Sequence, residues 1–514
     1  MNKAAKPAPR HVVVVGAGPG GLASAMLLRA TGAQVTLLEG SDRVGGRTSA
    51  IRQDGFTFDV GPTFFLYPDI LREIFAACGR SFDDEVEMTR LDPMYRLQFD
   101  DGTTFNATAD LERLSAEVAK IDPEDARNVA AYIKENTRKF DLFHPILRRP
   151  FHNLTSLAKG DMARAVRLLR PWSTVDRDLS RWFKNPDVRL AFSFQSKYLG
   201  MSPFKCPSLF TILAHVEYGY GVYHPTGGCN QVPQAMARVA REMGVDIRLS
   251  EPVEHLTFEG RRAVGAMTAQ GAYPADAVVV NGDFATTVQK LIPDRLRRRW
   301  TDTKIASKKY SCSTFMLYLG IEGKFPDMHH HTIYMSRDYL ENIREIDAGL
   351  APKDPTIYVQ NGSATDSTLA PEGHSALYVL VPVGNLSGGE DWQQLAPIYR
   401  EKILSRLERL CGHDIRDRIR TEVMVTPEDW QAERGVYRGA TFNLAHNLGQ
   451  MLHWRPRNRF EDVDGVYLTG GGTHPGSGLP TIFESARITS VLAAEDMGLP
   501  APAVSGLGIK EAAE

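Results

Sequence analysis

Two glycine-rich segments near opposite ends of the 514-residue chain contain the side chains best suited to chemistry. In the second segment, GGGTHPGSGLPTIFESARI, His474 lies among the glycines and Glu484 lies in the apolar helix expected to follow. Imidazole and carboxylate groups exchange protons readily, so both are candidate catalytic residues for proton transfer or for polarising a bound ring. Two plainer roles stay open: a turn histidine bonded to backbone, and an ion pair between Glu484 and Arg487 one helical turn away.

The first segment, HVVVVGAGPGGLAS, predicts a buried strand, a tight turn and a helix. Its GxGxxG spacing suits a dinucleotide site, where glycines allow the turn, admit a pyrophosphate to the backbone and let helix and strand pack closely. The next predicted strand ends in a carboxylate that can accept hydrogen bonds from ribose hydroxyls and that argues against NADP. A purely structural strand–turn–helix unit is the alternative. The expected ligand contacts are Gly16, Gly18, Gly20, Gly21 and Glu39.

A second glycine motif, SDRVGGRTS, follows Glu39 directly along the chain. Gly45 and Gly46 allow another close approach of backbone to the cofactor, and Arg43 and Arg47 offer guanidinium groups to phosphate oxygens. The alternative is an ordinary glycine turn with solvated arginines. It would explain either the GxGxxG motif or SDRVGGRTS alone, but it explains poorly why one follows the other along the chain. With this extension the chain resembles the FAD-dependent amine oxidase and polyene desaturase superfamily, whose shared signature is ExxxRxGGRxxS. The resemblance implies FAD rather than NAD.

Three further segments are expected to contact this cofactor. In the superfamily that the chain resembles, a backbone group at the position of Val253 holds the adenine. GPTFFLYPDILREIF also matches the family pattern and contributes Gly61 and Pro62. In the C-terminal segment, backbone N–H groups and the positive end of a helix beginning near residue 480 would face the flavin and its phosphates. The expected contacts there are Gly471, Gly472, Thr473, Gly478, Leu479 and Pro480.

Longer motifs narrow the resemblance to the bacterial-type carotenoid (phytoene) desaturases: GxxTHPGxGxP, GVYHPTGGCNQVPQAMARVA and FSFQSKYLGMSPFKCPSLFTIL. The resemblance implies desaturation of phytoene or a C30 diapocarotenoid by hydride transfer to flavin N5, with oxygen or a quinone as electron acceptor. Glu484 and Arg487 make this C-terminal segment more polar than in many relatives, so a terminal methyl or aldehyde oxidase is an alternative. A non-catalytic prenyl-binding escort of the GDP-dissociation-inhibitor type is another, but such proteins lack FAD, and the intact motif from Glu39 to Arg47 argues against it. The motif THPGSGLP argues against the hypothesis of an amine oxidase.

The order of these motifs predicts an α/β protein with a discontinuous, Rossmann-like FAD-binding domain. We expect this domain to comprise residues 9–90, 223–300 and 421–500. Residues 91–222 are expected to form a helical, membrane-facing insert, and residues 301–420 an α+β substrate domain. The antiparallel sheet expected in the substrate domain follows from strand-like runs such as STFMLYLGI and SALYVLVPV, accompanied by a helix near 391–410.

A membrane surface is the expected partner besides the hydrophobic polyene. Residues 142–172 mix lysines and arginines with large apolar residues and contain one aspartate. Such a segment suits the interfacial zone of a bilayer. A basic helix pair on an ordinary protein surface is the alternative. We therefore expect a cytoplasmic protein that is peripherally attached to a membrane.

Composition and residue spacing argue against a nucleic-acid partner, a membrane-spanning helix, disulfide bonds and a metal site. The net charge of −2 gives no reason to expect nucleic acid as a partner. No run of about 18 uninterrupted apolar residues is present, as a spanning helix would require. Five scattered cysteines without a CxxC pair indicate reduced thiols. The triplet from His329 to His331 has no suitably spaced carboxylate or cysteine partner, so we expect a solvated loop and no metal.

Overall fold

The computed structural model describes residues 10–151 and 160–504. Its first layer is a parallel sheet whose strands come from distant parts of the chain, as the β-branched run after His11 and the buried run at 277–280 predict. This sheet confirms the expected α/β class. Its five strands, in spatial order, are Asp246–Arg248, Gln34–Leu38, His11–Val15, Ala277–Asn281 and Val466–Thr469.

Both faces of the parallel sheet are covered. One face packs against the helices Pro19–Ala30, Gln231–Glu242 and Leu479–Asp496 through a core that includes Val12 and Val14. The other face packs against the helix Phe284–Leu291 and a small antiparallel sheet, so the strands are buried on both sides. The antiparallel sheet consists of Val253–Glu259, Arg262–Thr268 and Gly271–Pro274.

One strand boundary differs from the sequence prediction. The sequence after the helix near 231–243 predicts a strand that ends in Val253, whereas Val253 begins the strand Val253–Glu259. The preceding strand of the parallel sheet already ends at Arg248. Between the two, Ser250 has a positive φ of 55° and Pro252 has no N–H to donate, so the chain leaves one sheet and enters another there.

A second sheet, called the mixed sheet, has seven strands and extends beyond the predicted substrate domain. Two of its strands come from the insert that the sequence presented as helical, and a third begins before residue 421. Tyr95–Gln98 pairs in parallel with His331–Tyr334, and the other pairings are antiparallel. In spatial order the strands are Ile419–Val425, Ser313–Glu322, His374–Val383, Ile357–Asn361, His331–Tyr334, Tyr95–Gln98 and Thr104–Ala107.

The two faces of the mixed sheet have different neighbours. Phe315 and Val379 face the helix Trp392–Cys411 in a closed apolar core. Met316 and Leu380, one position away on the same strands, line a large cavity on the opposite face. This alternation follows from the period of two residues in a strand.

Helices of the predicted insert pack against the mixed sheet. The longest, Val129–Leu147, is joined to the short helix Val175–Leu179 by a fully buried ion pair between Lys139 Nζ and Asp178 Oδ2 at 2.8 Å. No helix in the described ranges is long and apolar enough to cross a bilayer. The other α-helices of four or more described residues are Asp69–Ala77, Phe82–Glu85, Leu111–Ile121, Pro123–Ala126, Gly160–Leu169, Pro186–Ser193, Asp302–Ala306, Tyr339–Asp347 and Pro427–Ala432.

The expected solvated loop at the histidine triplet is wrong. His331 is the first residue of the strand His331–Tyr334, and both His330 and His331 are buried. Pairing with Ile357–Asn361 places this strand inside the mixed sheet, where polar side chains are enclosed by neighbouring strands. Among the described residues, no group of three or more His, Cys, Asp or Glu side chains is arranged to hold a metal ion. All five cysteines are free thiols, as expected.

Candidate active site

One cavity of about 1430 Å³ lies between the parallel sheet and the mixed sheet. Gly16, Glu39, Gly282 and Gly470 line it, and each directly follows a strand of the parallel sheet. Ligands of open α/β sheets bind at this edge, outside the carboxyl ends of the strands. The cavity exceeds the 300–1,000 Å³ (roughly) of common ligand pockets, so it has room for a long cofactor and a second molecule.

The first glycine motif brings backbone to the cavity wall. Gly18 precedes the helix Pro19–Ala30 and provides no side-chain cap, so the first N–H groups of the helix remain free for a phosphate. A Cβ on Gly21 would lie 2.0 Å from the carbonyl oxygen of Gly16, so this glycine serves helix–strand packing. Gly16 and Gly18 line the cavity, whereas Gly20 and Gly21 lie behind it.

Glu39 is held with its carboxylate beside the first glycine loop. Oε2 accepts a hydrogen bond from the Ala17 N–H at 2.6 Å, and Oε1 accepts bonds from the Ser41 N–H and hydroxyl, each at 2.9 Å. These bonds fix the side chain, which lines the cavity with lone pairs left for a ribose hydroxyl.

The second glycine motif closes on the first. The Gly45 N–H donates to the Ala17 carbonyl at 2.9 Å, and a Cβ on Gly46 would lie 3.4 Å from the Gly18 Cα. Gly46 lines the cavity and Gly45 does not. The absence of side chains thus lets the two loops form one wall of main chain that fits the pyrophosphate of a dinucleotide.

The two arginines of the motif have different environments. Arg47 is half-buried in the cavity wall, where its Nη1 donates to the Thr441 carbonyl at 2.8 Å. Burial lowers the pKa of Arg47, and the nearby Asp283 opposes that shift. Arg43 also lines the cavity, but its guanidinium forms an exposed ion pair with Asp42 at 2.7 Å.

The C-terminal glycine segment forms the opposite end of the cofactor wall. Gly478, with a φ of 108°, precedes the helix Leu479–Asp496, whose N-terminus faces the cavity. Gly472 and Thr473 do not line the cavity, contrary to expectation, because a Cβ on Gly472 would lie 2.5 Å from Phe284 Cβ on the far side. The cavity-lining residues of this segment include Gly470, Gly471, Ser477, Gly478, Leu479 and Pro480.

A fully buried arginine supports this segment from behind. Arg455 donates hydrogen bonds to the carbonyls of Gly471 at 2.7 Å and Thr473 at 3.2 Å. It also donates to the Gln450 and Leu444 carbonyls, and no carboxylate within the described part of the chain pairs with it. Burial lowers the pKa of Arg455 to about 9. The loop therefore depends on an arginine that sequence reasoning did not identify.

Gly61 and Pro62 line the middle of the cavity, but Val253 does not. A Cβ on Gly61 would lie 2.7 Å from the Arg47 carbonyl, and the Tyr378 hydroxyl donates to the Gly61 carbonyl at 2.8 Å. Val253 pairs with Thr268 in the small antiparallel sheet, outside the cavity lining.

The structure places His474 in a buried turn, and its catalytic role stays a prediction. The side chain is buried outside the cavity lining, and its Nε2 is 3.0 Å from the Arg149 carbonyl. Burial lowers the pKa of His474 to about 4, so the ring is neutral at neutral pH. The plainer role, a turn histidine bonded to backbone, describes the geometry.

Glu484 also lies outside the cavity lining, and its catalytic role stays a prediction. Burial raises the pKa of Glu484 to about 8. Both carboxylate oxygens are 2.9 Å from Arg487 Nη1, as the plainer role predicts. Arg148 Nε is 3.3 Å from Glu484 Oε1, and both arginines approach Glu73. This cluster joins three helices, so its buried charges serve the packing of the helices.

The apolar wall of the cavity is made of residues that motif analysis did not identify. They alternate along the strands of the mixed sheet, and the run SALYVLVPV contained that signal, since every second residue points the same way. Helix Tyr339–Asp347 and the segment after Pro62 complete the wall. The apolar and aromatic members include Phe64, Met316, Ile333, Ile343, Ile346, Tyr358, Tyr378, Leu380, Pro382 and Trp430.

Comparison with known proteins identifies relatives over almost the whole chain. Residues 19–497 match the model of the flavin-containing amine oxidoreductase family. A 4,4′-diapophytoene desaturase (4,4′-diapolycopene-forming) from Methylomonas sp. is 44% identical, covering 94% of this chain and 95% of the relative. An all-trans-zeta-carotene desaturase from Myxococcus xanthus is 39% identical (94% and 92%), and a neurosporene-forming phytoene desaturase from Rhodobacter capsulatus is 35% identical (93% of each).

Solved structures share the fold. An oxidoreductase from Methanosarcina mazei has a TM-score of 0.64 at 17% identity, covering 93% of this chain and 98% of that one. Putrescine oxidase bound to putrescine has a TM-score of 0.62 at 17% identity, covering 95% and 99%. The family match confirms the flavin cofactor, FAD, for which the two glycine motifs form a fitting cradle. The chain belongs to the flavin-containing amine oxidoreductase family and, within it, to the carotenoid desaturases.

Proposed function

We propose that this chain is an FAD-dependent desaturase of a long acyclic carotenoid precursor, such as phytoene or a C30 diapocarotenoid. The observation that carries the proposal is one continuous cavity with a main-chain wall on one side and an apolar wall on the other. The relatives named above are desaturases of such polyenes, which supports this substrate class.

Desaturation removes a hydride and a proton from neighbouring carbons. FAD, when bound, supplies the hydride acceptor. Gly16, Gly18 and Glu39 bind the nucleotide part, and the helix beginning after Gly478 directs its positive end at the opposite part of the cofactor. Met316 and Leu380 orient the polyene and exclude water from it.

The decisive experiment is anaerobic mixing of the FAD-loaded protein with liposomes that contain phytoene or diapophytoene. We expect the flavin absorbance to bleach and the product to have an additional double bond. A protein that bleaches with dithionite but not with either polyene would contradict the proposal. A purified protein without flavin would instead favour the prenyl-binding escort function.

Oxidation of a terminal methyl or aldehyde group is a second candidate, favoured by one cavity side chain. Lys197 lines the cavity and lies over the ring of Tyr339 at 4.8 Å, and no ion pair to it occurs within the described residues. Burial lowers the pKa of Lys197 to about 8. An amine there can donate a hydrogen bond to an oxygen-bearing end group. Mass spectrometry of the product separates the two candidates, since only terminal oxidation adds oxygen atoms.

We also propose that the protein attaches peripherally to the cytoplasmic face of a membrane, at the cavity mouth. Residues 152–159 of the basic, apolar segment lie outside the described residues, but Trp172 is 69% exposed beside a groove. Leu448, 44% exposed, lies in the same groove with four lysines. Three of those lysines also line the cavity, so a bilayer docked here would meet its entrance: Lys205, Lys308 and Lys309.

Vesicle flotation tests this surface. Replacing Trp172 and Leu448 together by serine is expected to reduce binding to vesicles of mixed neutral and anionic lipids. Ile398→Ser is the matched control, since Ile398 is 67% exposed on the helix Trp392–Cys411, behind the mixed sheet. Equal loss of vesicle binding in both variants would contradict a specific docking surface.

Oxygen or a quinone is the proposed electron acceptor, and anaerobic turnover with a soluble quinone would distinguish them.

A further inference from the structure

A cluster of three buried histidines lies directly behind the apolar wall. The ring centroids of His224 and His330 are 4.6 Å apart, and those of His330 and His331 are 4.5 Å apart. His224 Nε2 is 3.0 Å from Asp366 Oδ2, which also accepts a hydrogen bond from the Gly227 N–H at 2.6 Å. The functions described so far use none of these groups.

A tyrosine connects the cluster to the cavity. The Tyr358 hydroxyl is 2.8 Å from His331 Nδ1 and 2.7 Å from the Thr63 hydroxyl. Both Tyr358 and Thr63 line the cavity. Hydrogen bonds therefore run without a break from the cavity wall to a buried imidazole.

His331 is fixed in orientation. Its ring stacks on Phe64 with a centroid distance of 4.1 Å and an interplanar angle of 13°. Its Nε2 is buried and has no hydrogen-bond partner in the described ranges, so Nδ1 makes the one hydrogen bond of the ring. Burial and the neighbouring imidazoles hold the pKa of His331 well below its ordinary value, so the ring is neutral and takes up a proton only from a strong acid.

We propose that Tyr358 accepts the proton released in desaturation and that His331 takes the hydroxyl proton of Tyr358. This inference rests on the proposed function. The C–H bond breaks, its electron pair forms the double bond, and an O–H bond forms at Tyr358 as the former hydroxyl proton moves to His331 Nδ1. The hydride from the neighbouring carbon goes to FAD. Tyr358 is thus a catalytic residue, and His331 acts through it as a positioning residue and second proton carrier.

The chemistry of the substrate makes this weak base sufficient. The cation left by hydride removal from a polyene is a strong acid, so an ordinary hydroxyl backed by a neutral imidazole can accept its proton. The carboxylate of Asp366, bonded to His224, lies at the far end of the cluster and stabilises a positive charge on His330. Glu484 is not an alternative acceptor, since it lies outside the cavity lining.

Anaerobic single-turnover formation of the desaturated product from liposomal diapophytoene tests the proposal, because the flavin is already reduced when the proton is lost. Tyr358→Phe removes the hydroxyl and leaves the ring, and Tyr378→Phe is its matched control. Tyr378 lines the same cavity, but its hydroxyl donates to the Gly61 carbonyl and not to a histidine. We expect Y358F to slow product formation by ~10²-fold, the contribution typical of a general base, and by at least tenfold more than Y378F does. Equal losses in the two variants would overturn the proposal.

A second readout separates proton transfer from a structural defect. Diapophytoene deuterated at the carbons that lose the proton is expected to show a larger isotope effect in Y358F, because proton loss becomes slower. His331→Gln keeps a hydrogen-bonding group beside Tyr358 but cannot hold a proton, so it is expected to behave like Y358F. An isotope effect in both variants equal to that of the wild type would overturn the proposal. Failure of the wild type to bleach would instead contradict the proposed function.

Discussion

The two walls of the cavity present different chemistry to a ligand. One wall is main chain, made of glycine loops at the ends of parallel strands, and two helices begin there after Gly18 and Gly478. The other wall is side chain, made of alternate residues such as Met316 and Leu380 on the mixed sheet. Exposed N–H groups suit a ligand rich in oxygen atoms, and apolar side chains suit a hydrocarbon. One cavity can therefore hold a polar cofactor against an apolar substrate.

The walls also differ in what supports them. Arg455 and its hydrogen bonds to carbonyls lie behind the C-terminal glycine loop. Apolar packing against the helix Trp392–Cys411 lies behind the mixed sheet. Removing one partner of a buried hydrogen bond leaves the other without a bond at a large free-energy cost, whereas apolar packing is spread over many contacts. A single substitution should therefore destabilise the main-chain wall more than the side-chain wall.

Arg455→Met should have the largest effect on stability. It leaves the carbonyls of Gly471 and Thr473 buried without their donor, at a total loss of about 4 kcal/mol in the free energy of unfolding. Urea denaturation of the apoprotein measures it. Arg459→Met is the control, because Arg459 forms an exposed ion pair with Asp496 and its loss should cost less than about 1 kcal/mol. Similar losses in both variants would contradict the support that we assign to Arg455.

Gly18→Val should block the cofactor without unfolding the chain. A Cβ there would lie 2.9 Å from Asn281 Nδ2 and occupy the space where the pyrophosphate approaches the backbone. FAD affinity should fall by roughly 10²-fold, because this glycine position serves that approach. Isothermal titration measures the affinity, and Gly449→Ala is the control, since Gly449 is exposed and a Cβ there would make only an ordinary contact of 3.5 Å with Asn447 Oδ1. Unchanged FAD binding would show that the cofactor lies elsewhere.

The main-chain wall was largely predictable from sequence. Gly16, Gly18, Glu39 and Arg47 lie within about 30 residues of one another, and local spacing alone fixes strand, turn and helix. Two strands of the parallel sheet, Gln34–Leu38 and Ala277–Asn281, match the predicted runs closely for the same reason.

The side-chain wall was much less predictable. Thr63, His331 and Tyr358 meet only because distant strands pair, and nothing in a single segment specifies that pairing. A polar triplet such as His329–His331 predicts a loop when it is considered alone. Its place in a strand becomes clear only from the strands that pair with it. His474 shows the opposite case, because a glycine-rich context suggests a ligand site where the ring bonds to backbone.

Adjacent residues of the strand His374–Val383 sharpen the contrast between the two faces of the mixed sheet. Val379→Ala removes methyl groups from the closed core and should lower the free energy of unfolding by roughly 2 kcal/mol. Leu380→Ala enlarges the cavity instead. It should raise KM for the polyene, and it should lower the free energy of unfolding less than Val379→Ala does. Denaturation and steady-state kinetics on both variants provide the comparison. The reverse pattern would mean that the cavity side of the sheet is not the substrate wall.

His474→Gln gives the smallest effect and separates structure from catalysis. The folded-state pKa of His474 is about 4, below its ordinary value of 6.5, so between these pH values the unfolded chain binds one more proton than the folded chain. Stability from this group is therefore present above pH 6.5 and is lost as pH falls, by about 1.4 kcal/mol at pH 5.5. The wild type should lose that much relative to H474Q when denaturation at pH 7.5 and 5.5 is compared. If H474Q instead abolished flavin reduction while its stability followed the wild type at both pH values, His474 would return as a catalytic residue.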